Sequence, residues 1–249
     1  MDGLVIACSM YSRIPMPQIV WSAEGMKYAL AFFPIVGVVI GALMSVLFWA
    51  AETMQLGTLA RCCLGTALPL LVSGGIHMDG FLDTVDARSS FEGREKKLEI
   101  LKDPHAGAFA ILGCGVYLLL YVAAVSQLPG RAFPAAAGIY VMTRALSGWS
   151  VVTFPKAKKD GLASTFSSGA EKQIVRAVLT VWGCGAVLFW YVTGGAVLAA
   201  VLTLAALAVF GWYYRMSLRE FGGVTGDLAG YFLQITELVL VTVLAVCAR

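Results

Sequence analysis

The chain alternates long apolar runs with shorter polar segments. Most runs are about 20 residues long, the length an α-helix needs to cross the hydrocarbon core of a bilayer. They lack the short alternating pattern of membrane β-strands. The pattern predicts an all-α, polytopic membrane helix bundle with about seven transmembrane helices, or six to eight depending on where the runs are divided. The predicted spans are residues 29–51, 58–76, 107–127, 132–153, 174–193, 196–214 and 229–247.

The segment before the first predicted span is a shorter apolar stretch. Residues 1–14 are too few to cross a bilayer and favour an interfacial or re-entrant helix that ends at Pro15 and Pro17. Within the first span, Gly37 and Gly41 have the spacing of a close helix–helix contact. We interpret residues 1–249 as a single membrane-embedded domain.

Composition agrees with a membrane protein. Hydrophobic residues make up 59% of the chain, charged residues only 13%, and the mean hydropathy is +0.81. Soluble domains carry about 25% charged residues. The formal net charge of +3 is too small to indicate a nucleic-acid partner. The lipid bilayer is therefore a predicted partner, and nucleic acid is not.

Basic residues are distributed unevenly among the connections. Most Lys and Arg residues lie in or beside segments 13–28, 77–106, 154–173 and 215–228, whereas the other connections carry few. Because basic residues favour cytoplasmic loops, we expect these four segments to face the cytoplasm. The odd number of spans then predicts a C-terminus on the outside.

A group of acids directly follows the second predicted span. The stretch "SGGIHMDGFLDTVDARSS" contains Asp79, Asp83 and Asp86 with no basic residue among them, and His77 just before them. On a helix these three carboxylates would share one face and repel one another unless a cation lay between them. Oxygen ligands at a site shared with phosphate favour Mg²⁺. His77 is either a polar anchor at the span edge or a base or phosphate donor.

A second charged segment follows the first. Glu95, Glu99 and Asp103 are spaced to share one helical face, and Lys102 is one of several basic residues among them. The segment is either a second set of ligands and phosphate contacts or a solvated loop of mixed charge. For residues 92–98 the loop is favoured.

Further polar residues are predicted on the same side of the membrane. Arg13 follows the first apolar stretch, and Thr225 and Asp227 lie in "FGGVTGDLAG" before the last span. Arg144 and Glu237 fall inside predicted spans, where ionisable residues need partners, so we expect them to pair. The residues alone thus predict a membrane-embedded site, open to the cytoplasm, that transfers a group at a phosphate or diphosphate.

The order of these motifs resembles one family along nearly the whole chain, the cobalamin-5′-phosphate synthases, also called adenosylcobinamide-GDP ribazoletransferases. "SRIPMP" is similar to an N-terminal Thr-Arg-x-Pro-x-Pro element, with Ser12 in place of the usual threonine. "GGIHMDGFLDTVDA" is similar to the signature Gly-Gly-x-His-x-Asp-Gly-x-x-Asp-Thr-x-Asp. Four more segments follow in the family's order: "REKKLEILKDPHAGAFA", "RALS", "DGLASTF" and "FGGVTGDLAG".

The resemblance implies a step in cobamide (vitamin B12) biosynthesis, the assembly of the nucleotide loop. The cobinamide phosphate of adenosylcobinamide-GDP would pass to the 3′-hydroxyl of α-ribazole or α-ribazole 5′-phosphate, and GMP would leave. The implied location is a bacterial or archaeal cytoplasmic membrane, with the active site facing the cytoplasm, and the resemblance leaves room for a homo-oligomer.

The resemblance also implies roles for individual residues. An aspartate of the signature is preferred to His77 as the base. The implied catalytic residues are Asp83, Asp86 and His77; the implied Mg²⁺ ligands are Asp79, Asp83, Asp86, Glu99 and Asp103; and the implied substrate contacts are Arg13, Lys102, Arg144, Thr225 and Asp227.

Two other functions fit parts of the pattern. A CDP-alcohol phosphotransferase also clusters aspartates, but its motif continues as Asp-Gly-x-x-Ala-Arg with two further aspartates at fixed spacing. Here Ala87 and Arg88 follow Asp86 directly. A cation transporter would place acids within its spans, whereas these acids lie at one edge.

Overall fold

The computed structural model describes residues 2–157, 166 and 168–248, and the regular secondary structure within them is helical. Lys158, Lys159 and residues 160–165, which belong to the predicted basic loop and to the "DGLASTF" motif, lie outside the described residues. The helices are α1 Asp2–Tyr11, α2 Ala23–Ala29, α3 Phe33–Thr53, α4 Thr58–Val72, α5 Ile76–Ser89, α6 Arg94–Ile100, α7 Ala108–Ser126, α8 Phe133–Thr153, α9 Lys172–Met216 and α10 Gly226–Cys247.

Several of the described helices are long and apolar enough to cross a membrane. Four pass by length and composition, or five if the bent pair of α4 and α5 counts as one span. The four are α3 with the short helix before it, α7, α9 with its π-helical end, and α10. This confirms the predicted all-α membrane helix bundle, while the number of seven spans stays a prediction.

The long helix α9 is interrupted at Gly195, which has a left-handed φ of 81°. Residues on either side of this break contact the same turn of α8. The Leu179 side chain packs against Gly148, and the Phe210 ring lies 5.9 Å from the Trp149 ring. A straight helix would separate Leu179 and Phe210 by roughly 46 Å. The chain therefore reverses direction at Gly195, where the sequence predicts a connection.

Helix α8 lies at the centre of the bundle, where it packs against α3, α9 and α10. A Cβ atom on Gly37 would collide with the Tyr140 carbonyl, and one on Gly41 would lie 2.7 Å from the Ala137 Cβ. These two glycines let the backbones of α3 and α8 approach closely, which confirms the predicted helix contact. Both helices start with a Phe-Pro pair, since proline suits the first turn of a helix.

The centre of the bundle also contains polar pairs. The Arg144 side chain, on α8, is 1% exposed and donates to the Glu237 carboxylate of α10 at 2.8 Å. This confirms the predicted pairing of the two residues. Nearby, the Tyr117 hydroxyl donates to Gln234 at 2.6 Å, and the hydroxyls of Tyr121 and Tyr140 lie 3.0 Å apart. These bonds satisfy polar groups that lipid could not.

Candidate active site

A sharp bend places α5 at the edge of the bundle. Helices α4 and α5 meet at 95°, so the predicted span 58–76 ends earlier than expected, at Val72. Gly74 and Gly75 make the bend with φ values of +65° and +80°, which only glycine adopts readily. The Arg13 side chain packs over Gly74, and the backbone N–H of Arg13 donates to the Val72 carbonyl at 2.7 Å. Arg13 is therefore placed at the start of α5.

A close helix crossing brings α5 against the start of α10. A Cβ atom on Gly80 would lie 2.7 Å from the Asp227 carbonyl oxygen, and one on Gly230 would lie 3.0 Å from the His77 carbonyl oxygen. Only glycine at these positions lets the two backbones meet. The crossing brings Asp227 to the acidic face of α5, although the two segments are far apart in sequence.

Asp79, Asp83 and Asp227, which we call the carboxylate cluster, lie around this crossing. Partial burial, followed by the charges of Asp79, Asp227, Asp86 and Asp103, raises the pKa of the Asp83 carboxyl to about 7. Asp79 and Asp83 form no ion pair with a basic residue in the described part of the chain. The predicted helical face of α5 is therefore formed, and Asp227 joins it.

Asp86 has a different environment from the other acids of α5. Its two carboxylate oxygens accept hydrogen bonds from the N–H groups of Gly107 at 2.6 Å and Ala110 at 2.8 Å. These are exposed donors of the first turn of α7, which a carboxylate satisfies well. Asp86 thus ties the end of α5 to the start of α7.

The second acidic segment is exposed and differs from the prediction. Helix α6 ends at Ile100, so the expectation that Asp103 shares a helical face with Glu95 and Glu99 is wrong. Pro104 follows Asp103 and disfavours helical backbone there. Glu99 pairs with Lys96 at 2.8 Å, and Asp103 accepts from the His105 ring at 2.8 Å. Lys102 is exposed beside them.

Thr225 caps the start of α10. Its hydroxyl accepts from the Leu228 N–H at 3.2 Å and donates to the Asp227 carboxylate at 3.3 Å. Thr225 therefore orients Asp227.

Lys156 is half-buried beside this turn. Its backbone forms a short parallel bridge with Val224, and its ammonium group donates to the carbonyls of Val151 and Phe154 at the end of α8. Burial and the nearby Lys172 charge lower the pKa of Lys156 to about 8.

A cavity of about 290 Å³, the aromatic cavity, opens beside the carboxylate cluster. Rings of Tyr11, Phe33 and His77 form one wall, with Tyr11 stacked on His77 at 6.1 Å between centroids. Asp79 and Asp227 also line it. His77 is 5% exposed, and its Nε2 atom has no hydrogen-bond partner among the described residues. Burial, and next the Arg144 charge, lower the pKa of His77 well below its usual range, so the imidazole is neutral.

Contacts at the far end of α5 were not predicted from the sequence. The Arg88 guanidinium bonds both carboxylate oxygens of Glu220 at 3.1 Å and the Tyr231 hydroxyl at 2.9 Å. Lys97 reaches the same Glu220 carboxylate at 3.1 Å. No spacing in the sequence links these residues, because they come from α5, α6, α10 and the π-helical turn Ser217–Phe221.

A family model described as cobalamin-5-phosphate synthase matches residues 3–245. The chain belongs to the cobalamin-5-phosphate synthase family. This confirms the resemblance that the motifs indicate.

Several relatives of this chain match it over nearly its whole length and over nearly the whole of their own. A protein of Lachnoclostridium phytofermentans named adenosylcobinamide-GDP ribazoletransferase is 44% identical over 96% of this chain and 91% of its own length. A protein of the same name from Desulfitobacterium hafniense is 32% identical over 96% of this chain and 94% of its own. One from Clostridium perfringens is 28% identical over 92% of this chain and 91% of its own. No solved structure matches the chain.

The oxygen atoms of the carboxylate cluster are suitable ligands for a hard cation such as Mg²⁺. The carboxylate cluster offers only oxygen atoms, the ligands that Mg²⁺ prefers. Across the described residues, no three His, Cys, Asp or Glu side chains are already arranged to hold a metal ion together. Magnesium does not require such a set, since it usually keeps several waters and binds one or two carboxylates together with substrate phosphates.

Proposed function

We propose that this protein is an adenosylcobinamide-GDP ribazoletransferase that acts in the nucleotide-loop assembly of cobamide biosynthesis. The observation that carries the proposal is the convergence of Asp79, Asp83 and Asp227 at one edge of a bundle whose family match spans residues 3–245. The same full-length match favours this activity over a CDP-alcohol phosphotransferase and a cation transporter. The substrates would be adenosylcobinamide-GDP and α-ribazole or α-ribazole 5′-phosphate.

In the proposed reaction the ribazole 3′-hydroxyl attacks the phosphorus that carries the cobinamide. A new phosphorus–oxygen bond forms, the bond to the GMP oxygen breaks, and the hydroxyl proton passes to a carboxylate. Asp83 is the first candidate for this base, because it lies at the centre of the carboxylate cluster and its oxygens are not held by a helix end. His77 is the second.

Magnesium is the proposed cofactor, with Asp79 and Asp83 as its first candidate ligands. When bound, it would offset charge on the diphosphate and on the leaving GMP. The Asp86 carboxylate holds the start of α7 and would bind magnesium only in addition to that role. Glu99 and Asp103 are exposed and paired locally, and they stay predicted ligands.

The predicted substrate contacts differ in their surroundings. Arg13 is exposed beside the bend before α5, and Lys102 is exposed beside Asp103, so both are free to approach the phosphates. Thr225 and Asp227 lie at the start of α10, beside the carboxylate cluster. Arg144 is buried against Glu237, so a direct phosphate contact would require its unbonded Nε edge.

The proposed location is the cytoplasmic membrane of a bacterium or archaeon, with the carboxylate cluster facing the cytoplasm. Support comes from the apolar helices and from the concentration of basic residues in the segments around α5, α6 and α10. A homo-oligomer is compatible with this arrangement.

The direct test uses the protein in proteoliposomes with adenosylcobinamide-GDP, α-ribazole 5′-phosphate and Mg²⁺. We expect release of GMP in equal amount to the cobamide 5′-phosphate formed. A parallel reaction with a CDP-alcohol and an alcohol acceptor should release no CMP. Absence of GMP with every divalent metal, or release of CMP, would contradict the proposal.

A further inference from the structure

A large apolar groove, the α9 groove, lies between α8 and the two halves of α9, residues 172–194 and 196–216. It has a volume of about 1030 Å³ and is lined almost entirely by apolar side chains. It runs from Phe210 near one end to Tyr191 and Ala196 near the other. The helix rises by roughly 21 Å from Ala196 to Phe210, at 1.5 Å per residue. The groove is therefore longer than the hydrocarbon of one bilayer leaflet, which is about 15 Å thick.

The α9 groove faces outward from the bundle. Its wall residues Leu188, Leu204 and Leu207 have exposures of 62%, 67% and 51%. Among the four described helices that are long and apolar enough to cross a membrane, α9 has the smallest buried share in its most apolar stretch. A continuous exposed apolar surface of this size marks contact with a membrane or with another chain.

The start and the end of α9 lie at the same end of the bundle. Because the chain reverses at Gly195, both approach the last turn of α8. The Tyr214 ring, near the end of α9, lies 4.6 Å from the Phe154 ring. Besides burial, the charge of Lys172, at the start of α9, lowers the pKa of Lys156, so these two ammonium groups are close. Side chains from both halves of α9 therefore reach the same end of the groove.

Arginines from both halves of α9 flank this end of the groove. Arg176 precedes the lining residue Thr180 by one turn and shares its helical face. Arg215 follows Gly211, the neighbour of the lining residue Phe210, by one turn. The Arg215 guanidinium folds back along the helix, to within 3.8 Å of the position that a Cβ atom on Gly211 would take.

The charge at this end of the groove is positive. Across the described part of the chain, neither Arg176 nor Arg215 forms an ion pair with an acid. The acids closest to them in sequence are Glu171, a single exposed carboxylate, and Glu220, which two other basic residues hold. Lys172 adds a further cation beside Arg176. This end of the groove therefore suits an anionic group such as a phosphate.

We propose that the α9 groove binds an anionic phospholipid, with an acyl chain along the groove and the phosphate at Arg176 and Arg215. Long apolar walls that end at cations match a molecule that carries both an acyl chain and a phosphate, and basic sites between membrane helices bind such headgroups. A second copy of the chain fits less well, because a two-fold pair would bring two positive ends together. The proposal does not depend on the proposed transferase function.

The test places the protein in phosphatidylcholine nanodiscs with a small fraction of a photoreactive lipid, either phosphatidylglycerol or phosphatidylcholine with a diazirine on the acyl chain. Peptide mapping after illumination locates the labelled residues. We expect the phosphatidylglycerol probe to label groove residues such as Cys184 about fivefold or more above the phosphatidylcholine probe, and millimolar inorganic phosphate should not compete. Equal labelling by the two probes, or competition by inorganic phosphate, would overturn the proposal.

Single substitutions test the binding of the headgroup. Arg176→Gln and Arg215→Gln should each lower labelling by phosphatidylglycerol about fivefold and leave labelling by phosphatidylcholine unchanged. Lys96→Gln, which removes an exposed cation of α6, should keep the wild-type ratio between the probes. An arginine variant that keeps the wild-type ratio, or a Lys96→Gln protein that loses it equally, would overturn the proposal.

A second pair of variants tests the binding of the acyl chain. Ala200 is exposed in the wall of the groove, so Ala200→Phe fills the groove and should lower labelling of its residues by both probes. Val197, which is 78% exposed and does not line the groove, is the matched control, and Val197→Phe should keep the labelling. Full labelling of the Ala200→Phe protein would overturn the proposal. Groove residues of wild-type protein that neither probe labels would show that protein covers them, which would also overturn it.

Discussion

Asp83 and Asp86 are three residues apart on α5, yet their carboxylates contact different surroundings. Asp83 lies among other acids, and their charges oppose its ionisation. Asp86 accepts two backbone hydrogen bonds from the start of α7. The negative charge of Asp83 therefore destabilises the fold, whereas the negative charge of Asp86 stabilises it.

This contrast predicts opposite effects of substitution on folding. Asp86→Ala should lower the free energy of unfolding by about 0.5–2 kcal/mol, the usual range for loss of a helix cap. Asp83→Asn should leave it unchanged or raise it, because one repulsive charge is removed. Denaturant unfolding in detergent, followed by tryptophan fluorescence, measures both. Equal destabilisation by the two variants would contradict the assigned contacts.

The buried pair of Arg144 and Glu237 is a second test at single residues. Glu237→Leu leaves the Arg144 charge buried without a partner and should destabilise the protein by about 3–5 kcal/mol. Arg144→Met combined with Glu237→Leu should recover most of that loss. A double variant as unstable as the single one would contradict the pairing. Full turnover by the double variant would remove Arg144 from the predicted substrate contacts.

At the scale of elements, the crossing of α5 and α10 assembles the carboxylate cluster. Gly80→Ala places a Cβ atom 2.7 Å from the Asp227 carbonyl oxygen, so α10 must shift. We expect a loss of about 1–3 kcal/mol in unfolding free energy and a lower turnover, because Asp227 moves away from Asp83.

Gly115 of α7 is the matched control for this crossing. A Cβ atom there meets nothing within 4 Å, so Gly115→Ala should be neutral or stabilise the helix by up to about 1 kcal/mol. Turnover and denaturant midpoints of both variants provide the comparison. A Gly80→Ala protein that behaves like Gly115→Ala would show that the crossing does not require glycine.

The sequence predicts helices well where a local pattern determines them. Predicted spans 107–127 and 132–153 match α7 and α8 within about a residue at each end, because apolar length and flanking prolines and glycines set those boundaries. The helical face of Asp79 and Asp83 follows from spacing alone. The Gly37 contact was predicted from a short motif whose geometry is local to one helix.

Features that depend on distant contacts were missed. No pattern near Asp227 in the sequence shows that Gly80 lets α10 approach α5 closely enough to bring Asp227 beside the acids of α5. Likewise, no spacing in the sequence connects Asp86 with Gly107 or Arg88 with Glu220. The walls of the aromatic cavity come from five separate helical regions, so Tyr11 and Phe33 carried no recognisable signal. The end of α6 before Asp103 agrees with the local effect of Pro104, which disfavours helical backbone at the residue before it and which the spacing of the three acids does not reflect.

At the scale of the whole molecule, the distribution of basic residues predicts which side of the membrane each connection faces. Met54 lies between α3 and α4, and Phe91 between α5 and α6, with exposures of 70% and 92%. In a chain whose six cysteines are replaced by alanine, Met54→Cys should react with a membrane-impermeant maleimide only from outside. Phe91→Cys should react only from the cytoplasmic side. Labelling of both from one side would contradict the predicted orientation.

The central claim is that the carboxylate cluster carries out a magnesium-dependent transfer, and GMP release in proteoliposomes tests it most directly. Wild-type protein should release GMP from adenosylcobinamide-GDP and α-ribazole 5′-phosphate only when Mg²⁺ is added. Asp83→Asn should lower this rate by about a hundredfold or more, whereas Glu92→Gln, at an exposed acid outside the cluster, should keep it. Release of GMP without any divalent metal, or full activity of a folded Asp83→Asn protein, would contradict the account.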